Sequence, residues 1–311
     1  MSMQEMESTA IIRSSTEVLA QNSRSFRLAS LFLPAKAQDD AALCYAVCRL
    51  IDDTADEAES VELARQELAQ IREELAGHVP ARALLATFLA MAKRTGLRLD
   101  CVFELIKGVE SDLGPVRLAN DAELLRYGYR VAGTVGLMMC AVLGVDEREA
   151  LPHAIDLGIA MQITNICRDV LEDARMNRVY LPASRLAAAG IDAEQIVDES
   201  VDREALSRVL NELIELAEAY YLSGQNGMRF IPGRSRIGIL VAGRVYRAIG
   251  MRLRSQGGDP FRGRCVVPGW AKSYWIGVAC VGWLDISLFG ARRGHDATLH
   301  LLLSDLPGVT H

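Results

Sequence analysis

The stretch from Gln162 to Asp173, Gln-Ile-Thr-Asn-Ile-Cys-Arg-Asp-Val-Leu-Glu-Asp, constrains the chain most strongly. No Pro or Gly interrupts it, so it can run as one helix, and Asn165, Asp169 and Asp173 then recur at i, i+4 and i+8 on one face. An earlier segment, Tyr45 to Asp56, repeats the pattern: Tyr45, Arg49, Asp52, Asp53 and Asp56 follow spacings of three and four. Both rows interrupt apolar helical text. Adjacent carboxylates repel, and burying them uncompensated costs several kcal/mol per ion. A chain that keeps two such rows beside its core neutralises them with a hard cation. Mg²⁺, with Mn²⁺ as the alternative, takes carboxylate, amide and water oxygens and shares them with a substrate phosphate. A solvated helix face is the ordinary meaning of either run alone. Two runs with Arg49 and Arg168 beside their acids favour a site, because Arg next to a metal-bound anion suits diphosphate.

The rest of the composition fits such a helical framework. Half of the 311 residues are hydrophobic and only 6% aromatic, which favours an all-α fold over a β-sandwich. The net charge of −6 argues against a nucleic-acid partner. Seven cysteines, odd in number and scattered through apolar text, read as free thiols in a reducing, cytoplasmic setting. Met1 to Ala10 shows no secretory signal. The longest apolar runs, Val131 to Val145 and Trp275 to Trp283, fall short of the ~18 residues of a spanning helix. Trp275 to Phe289 could still supply a peripheral membrane contact.

Helices are expected over 8–21, from Pro34 through Asp56, over 59–76, 81–94 and 99–112, from Asp121 through Gly136, and over 151–173, 202–223, 235–255 and 270–289. Asn22 to Phe26 reads as a loop or helix start able to meet an anion. Gly128, Gly133 and Gly136 imply that a neighbouring helix or a ligand tail closely approaches the backbone. No repeat, low-complexity tract or linker divides the chain, so one domain over 1–311 is expected, with no element assigned to the tail from Arg292.

Taken together, several segments resemble the squalene/phytoene synthase family: Ser23-Arg24-Ser25-Phe26, Tyr45 to Arg49, Asp52 to Asp56, Tyr127 to Gly136, Asn165 to Asp173 and Arg178 to Pro182, in that order within about residues 14 to 273. The resemblance implies an isoprenoid-synthase helical fold with a central apolar cavity and the two acidic rows facing each other at its mouth. It implies Mg²⁺-dependent head-to-head joining of two prenyl diphosphates through a cyclopropylcarbinyl diphosphate. By position, Asp52, Asp53, Asp56, Asn165, Asp169 and Asp173 would hold metal. Ser23, Ser25, Phe26, Tyr45, Arg49, Gln162, Arg168 and Arg264 would bind substrate. Tyr127, Tyr246, Arg49 and Arg168 would serve catalysis, the tyrosines by cation stabilisation or proton handling. Val131, Val135, Leu137, Met138, Ile159 and Ile163 are candidates for the cavity wall. His78 and His153 match no motif and read as structural.

Ser30, one turn beyond Phe26, is a small side chain where some relatives using C15 substrates carry a bulky aromatic. That favours geranylgeranyl diphosphate and phytoene, formed by proton loss without NADPH. The segment from Gly263 to Pro268 is also phytoene-synthase-like, but Gly269-Trp270-Ala271 departs from the more basic text expected there. The rival within the fold is a squalene, hydroxysqualene or C30 dehydrosqualene synthase using farnesyl diphosphate. A non-catalytic assembly protein of the same family is the rival of a different class, and it would have no reason to keep six oxygen ligands at helical spacing. A ferritin-like bundle would need Glu-x-x-His pairs, and neither His78 nor His153 has a Glu three residues before it. The sequence leaves the oligomeric state open.

Overall fold

The computed structural model describes residues 3–263, 265 and 294–309, and of residues 3–5, Arg24 and Ser25 the backbone alone. The fold is all-α. In chain order the helices are α1 (Met3–Asn22), α2 (Arg24–Ser30), α3 (Ala35–Asp56), α4 (Val61–Ala76), α5 (Ala83–Thr95), α6 (Leu99–Glu110), α7 (Asp121–Gly128), α8 (Thr134–Leu143), α9 (Leu151–Arg175), α10 (Ala183–Ala188), α11 (Ala193–Val197), α12 (Arg203–Gly227) and α13 (Ser235–Ser255). Local chemistry sets many of the boundaries. Ser23, Ser60, Asn120 and Asp202 cap the helices that follow them, and left-handed Gly77 closes α4.

Helix α9 is the axis of the assembly, packed against α12, α8, α13 and the turn between α7 and α8. Helix α3 lies among α1, α4, α5, α6 and α8. The helix expected from Asp121 through Gly136 is interrupted by a single π-turn, Tyr129–Gly133, which shifts the following residues around the axis. Its glycines answer to a neighbouring helix. A Cβ on Gly136 would stand 2.3 Å from the Ala154 carbonyl oxygen, and one on Gly158 would stand 2.3 Å from that of Ala132. Backbones this close let α8 and α9 run against each other with no side chain between.

Two short strands complete the framework, β1 (Val116–Arg117) and β2 (Arg178–Val179), parallel and in register Val116 to Arg178. They tie the segment after α6 to the segment after α9. That pairing brings Asp112 and Tyr180 together.

Six of the seven cysteines fall among the described residues, and all six are free. No described helix is long and apolar enough to cross a membrane. The apolar stretch from Trp270 to Phe289, and with it the membrane-contact expectation, lies outside the described residues.

Candidate active site

Both acidic rows end their helices: Asp52, Asp53 and Asp56 occupy the last turns of α3, and Asp169 and Asp173 those of α9. Helix C-termini already carry negative potential, so carboxylates there are electrostatically misplaced unless a cation offsets them. The two ends meet across a cavity of about 290 Å³ lined by Asp52, Asp56, Asn165, Asp169 and Asp173 together with Asp112.

The charges in this mouth are partly neutralised by arginines. Arg49 pairs with Asp53 at 2.5 Å, Arg178 with Asp56 at 3.0 Å, and Arg168 engages Asp169 through both Nε and a terminal nitrogen. Burial, reinforced by the Asp56 charge, lifts the Asp52 carboxyl from 3.8 to about 7. Burial and the Asp169 charge do the same to Asp173. Burial also lifts Asp112 to about 6, against hydrogen bonds from Tyr180 and Tyr127 at 2.7 and 2.9 Å. The Tyr127 phenol is itself pushed far above 10 by burial and by Asp112, so it is a neutral donor at pH 7.

Behind the mouth, and sharing Asp52, Gln162 and Asn165 with it, opens an apolar tunnel of about 330 Å³. It follows α9 from Asn165 to His153, twelve residues or ~18 Å at the helical rise. Phe26, Tyr45 and Tyr246 form its aromatic collar, with Phe26 stacked on Tyr246 at 5.8 Å and edge-on to Tyr45 at 6.3 Å.

The donors fit a hard divalent cation. Every candidate ligand at the mouth is an oxygen, and Asn165 Oδ1 is buried without a hydrogen-bond partner. An amide oxygen left bare in such a place is available for coordination.

A squalene/phytoene synthase family model matches residues 19–271. The chain belongs to the squalene/phytoene synthase family. A 15-cis-phytoene synthase from Paracoccus sp. is 36% identical over 89% of this chain and 92% of its own length. One from Enterobacter agglomerans is 38% identical over 78% and 85%. Among solved structures, a dehydrosqualene synthase in complex with ligand superposes with a TM-score of 0.81 at 25% identity, covering 91% of this chain and 99% of that one. A squalene synthase from Alicyclobacillus acidocaldarius superposes at 0.72 with 21% identity over 82% and 97%, which supports the fold alone.

In this squalene/phytoene synthase chain, most expected site residues converge. Arg49, Asp52, Asp56, Tyr127, Gln162, Asn165, Arg168, Asp169 and Asp173 line the mouth, and Phe26, Tyr45 and Tyr246 the tunnel. Asp53 does not line either cavity and turns to Arg49. Ser23 lines neither, its hydroxyl accepting from the Phe26 N–H at 3.2 Å to cap α2. The Ser25 side chain and Arg264 lie outside the described residues. Of the expected wall residues, Val131 and Val135 do line the tunnel, whereas Leu137, Met138, Ile159 and Ile163 are ordinary core. Ser30 lines it as expected.

Asp112, Arg178 and Tyr180 were not singled out by sequence, although Arg178 and Tyr180 fall in a recognised segment. Asp112 did carry a signal. An acid just past the C-terminus of α6 opposes the helix dipole, as the acids of α3 and α9 do.

Proposed function

We propose that this protein is a phytoene synthase, joining two geranylgeranyl diphosphates head to head through a cyclopropylcarbinyl (prephytoene) diphosphate in carotenoid biosynthesis. The observation that carries the reading is the junction at Asp52, Gln162 and Asn165, where an acid-lined mouth meets an apolar tunnel of ~18 Å. A prenyl diphosphate has the same two parts, an anionic head and a long hydrocarbon tail. The tunnel's length suits an extended C20 tail, and Ser30 leaves its wall open.

The bound Mg²⁺ would be held by Asp52, Asp56, Asn165, Asp169 and Asp173, and would neutralise charge on the departing diphosphate. Arg49, Arg168 and Arg178 supply the donors that orient the diphosphates and exchange their present carboxylate partners for phosphate oxygens. The allylic cation forms beside the collar of Phe26, Tyr45 and Tyr246, whose ring faces stabilise positive charge without offering a nucleophile. The apolar wall excludes water that would otherwise capture the cation. Tyr127, a neutral phenol fixed on Asp112, orients groups at the mouth by hydrogen bonding. Product forms by proton loss, with no requirement for NADPH. Its poor solubility in water motivates delivery from a cytoplasmic enzyme to a membrane surface.

Purified protein incubated with geranylgeranyl or farnesyl diphosphate, with and without Mg²⁺ and NADPH, tests the proposal. Mg²⁺-dependent phytoene without NADPH is expected. A C30 product in preference to phytoene would overturn the substrate assignment, and no product from either would overturn the activity.

A further inference from the structure

Residues 294–309 lie outside the stretch matched by the family model, yet they are built into the protein. Leu303, Leu306 and Val309 join the core. Asp305 takes both terminal nitrogens of Arg126 on α7 at 2.9 and 2.8 Å. Tyr129 of the π-turn donates to the Pro307 carbonyl, and Tyr220 of α12 donates to that of Leu299 at 2.9 Å.

The deepest anchor is Asp156 on α9, which is 0% exposed. Its Oδ1 accepts from His300 Nε2 at 2.7 Å, and its Oδ2 accepts from His295 Nε2 at 2.8 Å and from the Ser223 hydroxyl. Three donors satisfy a carboxylate that burial would otherwise penalise. Because the single Ser223 proton goes to Asp156, His153 Nδ1, 3.1 Å from Ser223 Oγ, carries the proton of that contact. His153 lines the tunnel and is the lining residue of α9 farthest from the mouth. A continuous chain of hydrogen bonds therefore runs from the tunnel wall through His153, Ser223 and Asp156 to the C-terminal segment.

Asp156, His295 and His300 also bring ligand-type atoms within 4.8 Å of one another. Their separations of 2.7 and 2.8 Å are those of N–H···O bonds. A metal-bound imidazole would moreover need an acceptor for its second nitrogen, and His300 Nδ1 is buried without a partner. Hydrogen bonding describes the cluster better than a metal does.

The His153 ring has little room to retreat. A Cβ on Gly227 would stand 2.4 Å from the His153 Cβ, and the ring stacks on Phe230 at 6.2 Å. Burial and the nearby His295 hold its pKa below the ordinary value, so it meets the tunnel as a neutral ring.

We propose that residues 294–309 are a positioning strap for the tunnel: through His295, His300, Asp156 and Ser223 they fix His153 as its end wall and thereby favour a tail long enough to reach it. The inference rests on the prenyl diphosphate reading above. Asp156, Ser223, His295 and His300 are positioning residues, and Asp156, the one on α9, stands nine residues or ~14 Å from Asn165 at the mouth. A C20 tail reaches the end wall, and a C15 tail stops short of it, so the two substrates report on the strap differently.

Ser223→Ala cuts the link between strap and wall, His300→Leu removes one donor to Asp156, and His300→Gln returns an N–H close to the position of Nε2. The experiment measures kcat/KM for the C20 and C15 diphosphates, and Kd for their non-ionising thiolo analogues so that binding is read even without turnover. Inorganic pyrophosphate with Mg²⁺ probes the mouth. The C20-to-C15 preference should fall at least about five-fold, or ~1 kcal/mol, in Ser223→Ala and His300→Leu. It should recover in His300→Gln, while pyrophosphate affinity stays within about two-fold of wild type. An unchanged preference in all three variants, with only Tm lowered, would make the strap a mere stabiliser and overturn the proposal. One zinc per chain retained through dialysis and lost in His300→Leu would also overturn it, in favour of a metal clamp. A wild-type enzyme inactive on both diphosphates, but with the expected analogue preferences, would sink the phytoene synthase reading and leave the strap standing.

Discussion

Tyr127 and Tyr180 stack with ring centroids 4.7 Å apart, and each donates its hydroxyl to a different oxygen of Asp112. The two tyrosines come from α7 and from the segment after β2, so one carboxylate fixes two walls of the mouth. Asp112→Asn keeps the volume but removes the charge and one acceptor. It should lower kcat by at least about tenfold while leaving the circular-dichroism spectrum unchanged. Wild-type kcat in this variant would show that Asp112 only fills space.

The two members of the Asp52-Asp53 pair should respond differently. Asp52 lines the mouth, whereas Asp53 is turned to Arg49. Asp52→Asn and Asp169→Asn should each cost activity by ~10³ or more at saturating substrate, and Asp53→Asn less than about tenfold. Equal losses at Asp52 and Asp53 would place Asp53 among the ligands after all.

Stability should depend on pH through Asp52 and Asp173, both raised to about 7 by burial and like charge. Their folded pKa values exceed the unfolded value of 3.8, so the folded, metal-free protein holds protons that the unfolded chain has released. Their contribution to stability is full below the unfolded value and is lost as pH rises through about 7. Mg²⁺ held as proposed would compete with those protons, so the Tm gained on adding it should grow between about pH 5.5 and about pH 8. Thermal melts with Mg²⁺ or with chelator at each pH measure that gain, and a gain independent of pH would contradict the assignment.

Gly158→Ala should be destabilising out of proportion to its size. The new methyl would stand 2.3 Å from the Ala132 carbonyl oxygen, a backbone atom that moves only if α9 separates from the π-turn. The urea midpoint should drop by the equivalent of ~1–3 kcal/mol. A midpoint within error of wild type would mean that the helices part freely.

Much of the site was legible because its logic is local. Asn165, Asp169 and Asp173 share a face through helical periodicity alone, and two matched rows required something cationic between them. Asp112 was harder to read, since its role depends on a two-residue parallel pairing that joins segments sixty residues apart in register, Val116 with Arg178. Asp53 is a different case: spacing puts it beside Asp52, and in the structure an i, i+4 partner, Arg49, pairs with it. The π-turn was hidden because Tyr129 to Gly133 read equally well as α-helix, whereas in the fold this segment packs against both α9 and α6. The role of His153 lay in its partners, which are dispersed from Asp156 to His300.

The carboxylates of the mouth all gather at one end of the tunnel. An amphiphile placed there has a single comfortable polarity, tail inward and head at the rim, and a second molecule is ranked the same way. In the proposed reaction that would make their C1 atoms neighbours before any bond breaks. The regiochemistry of a head-to-head union is on this view a property of the compartment's polarity, enforced before chemistry begins and independent of any one catalytic side chain.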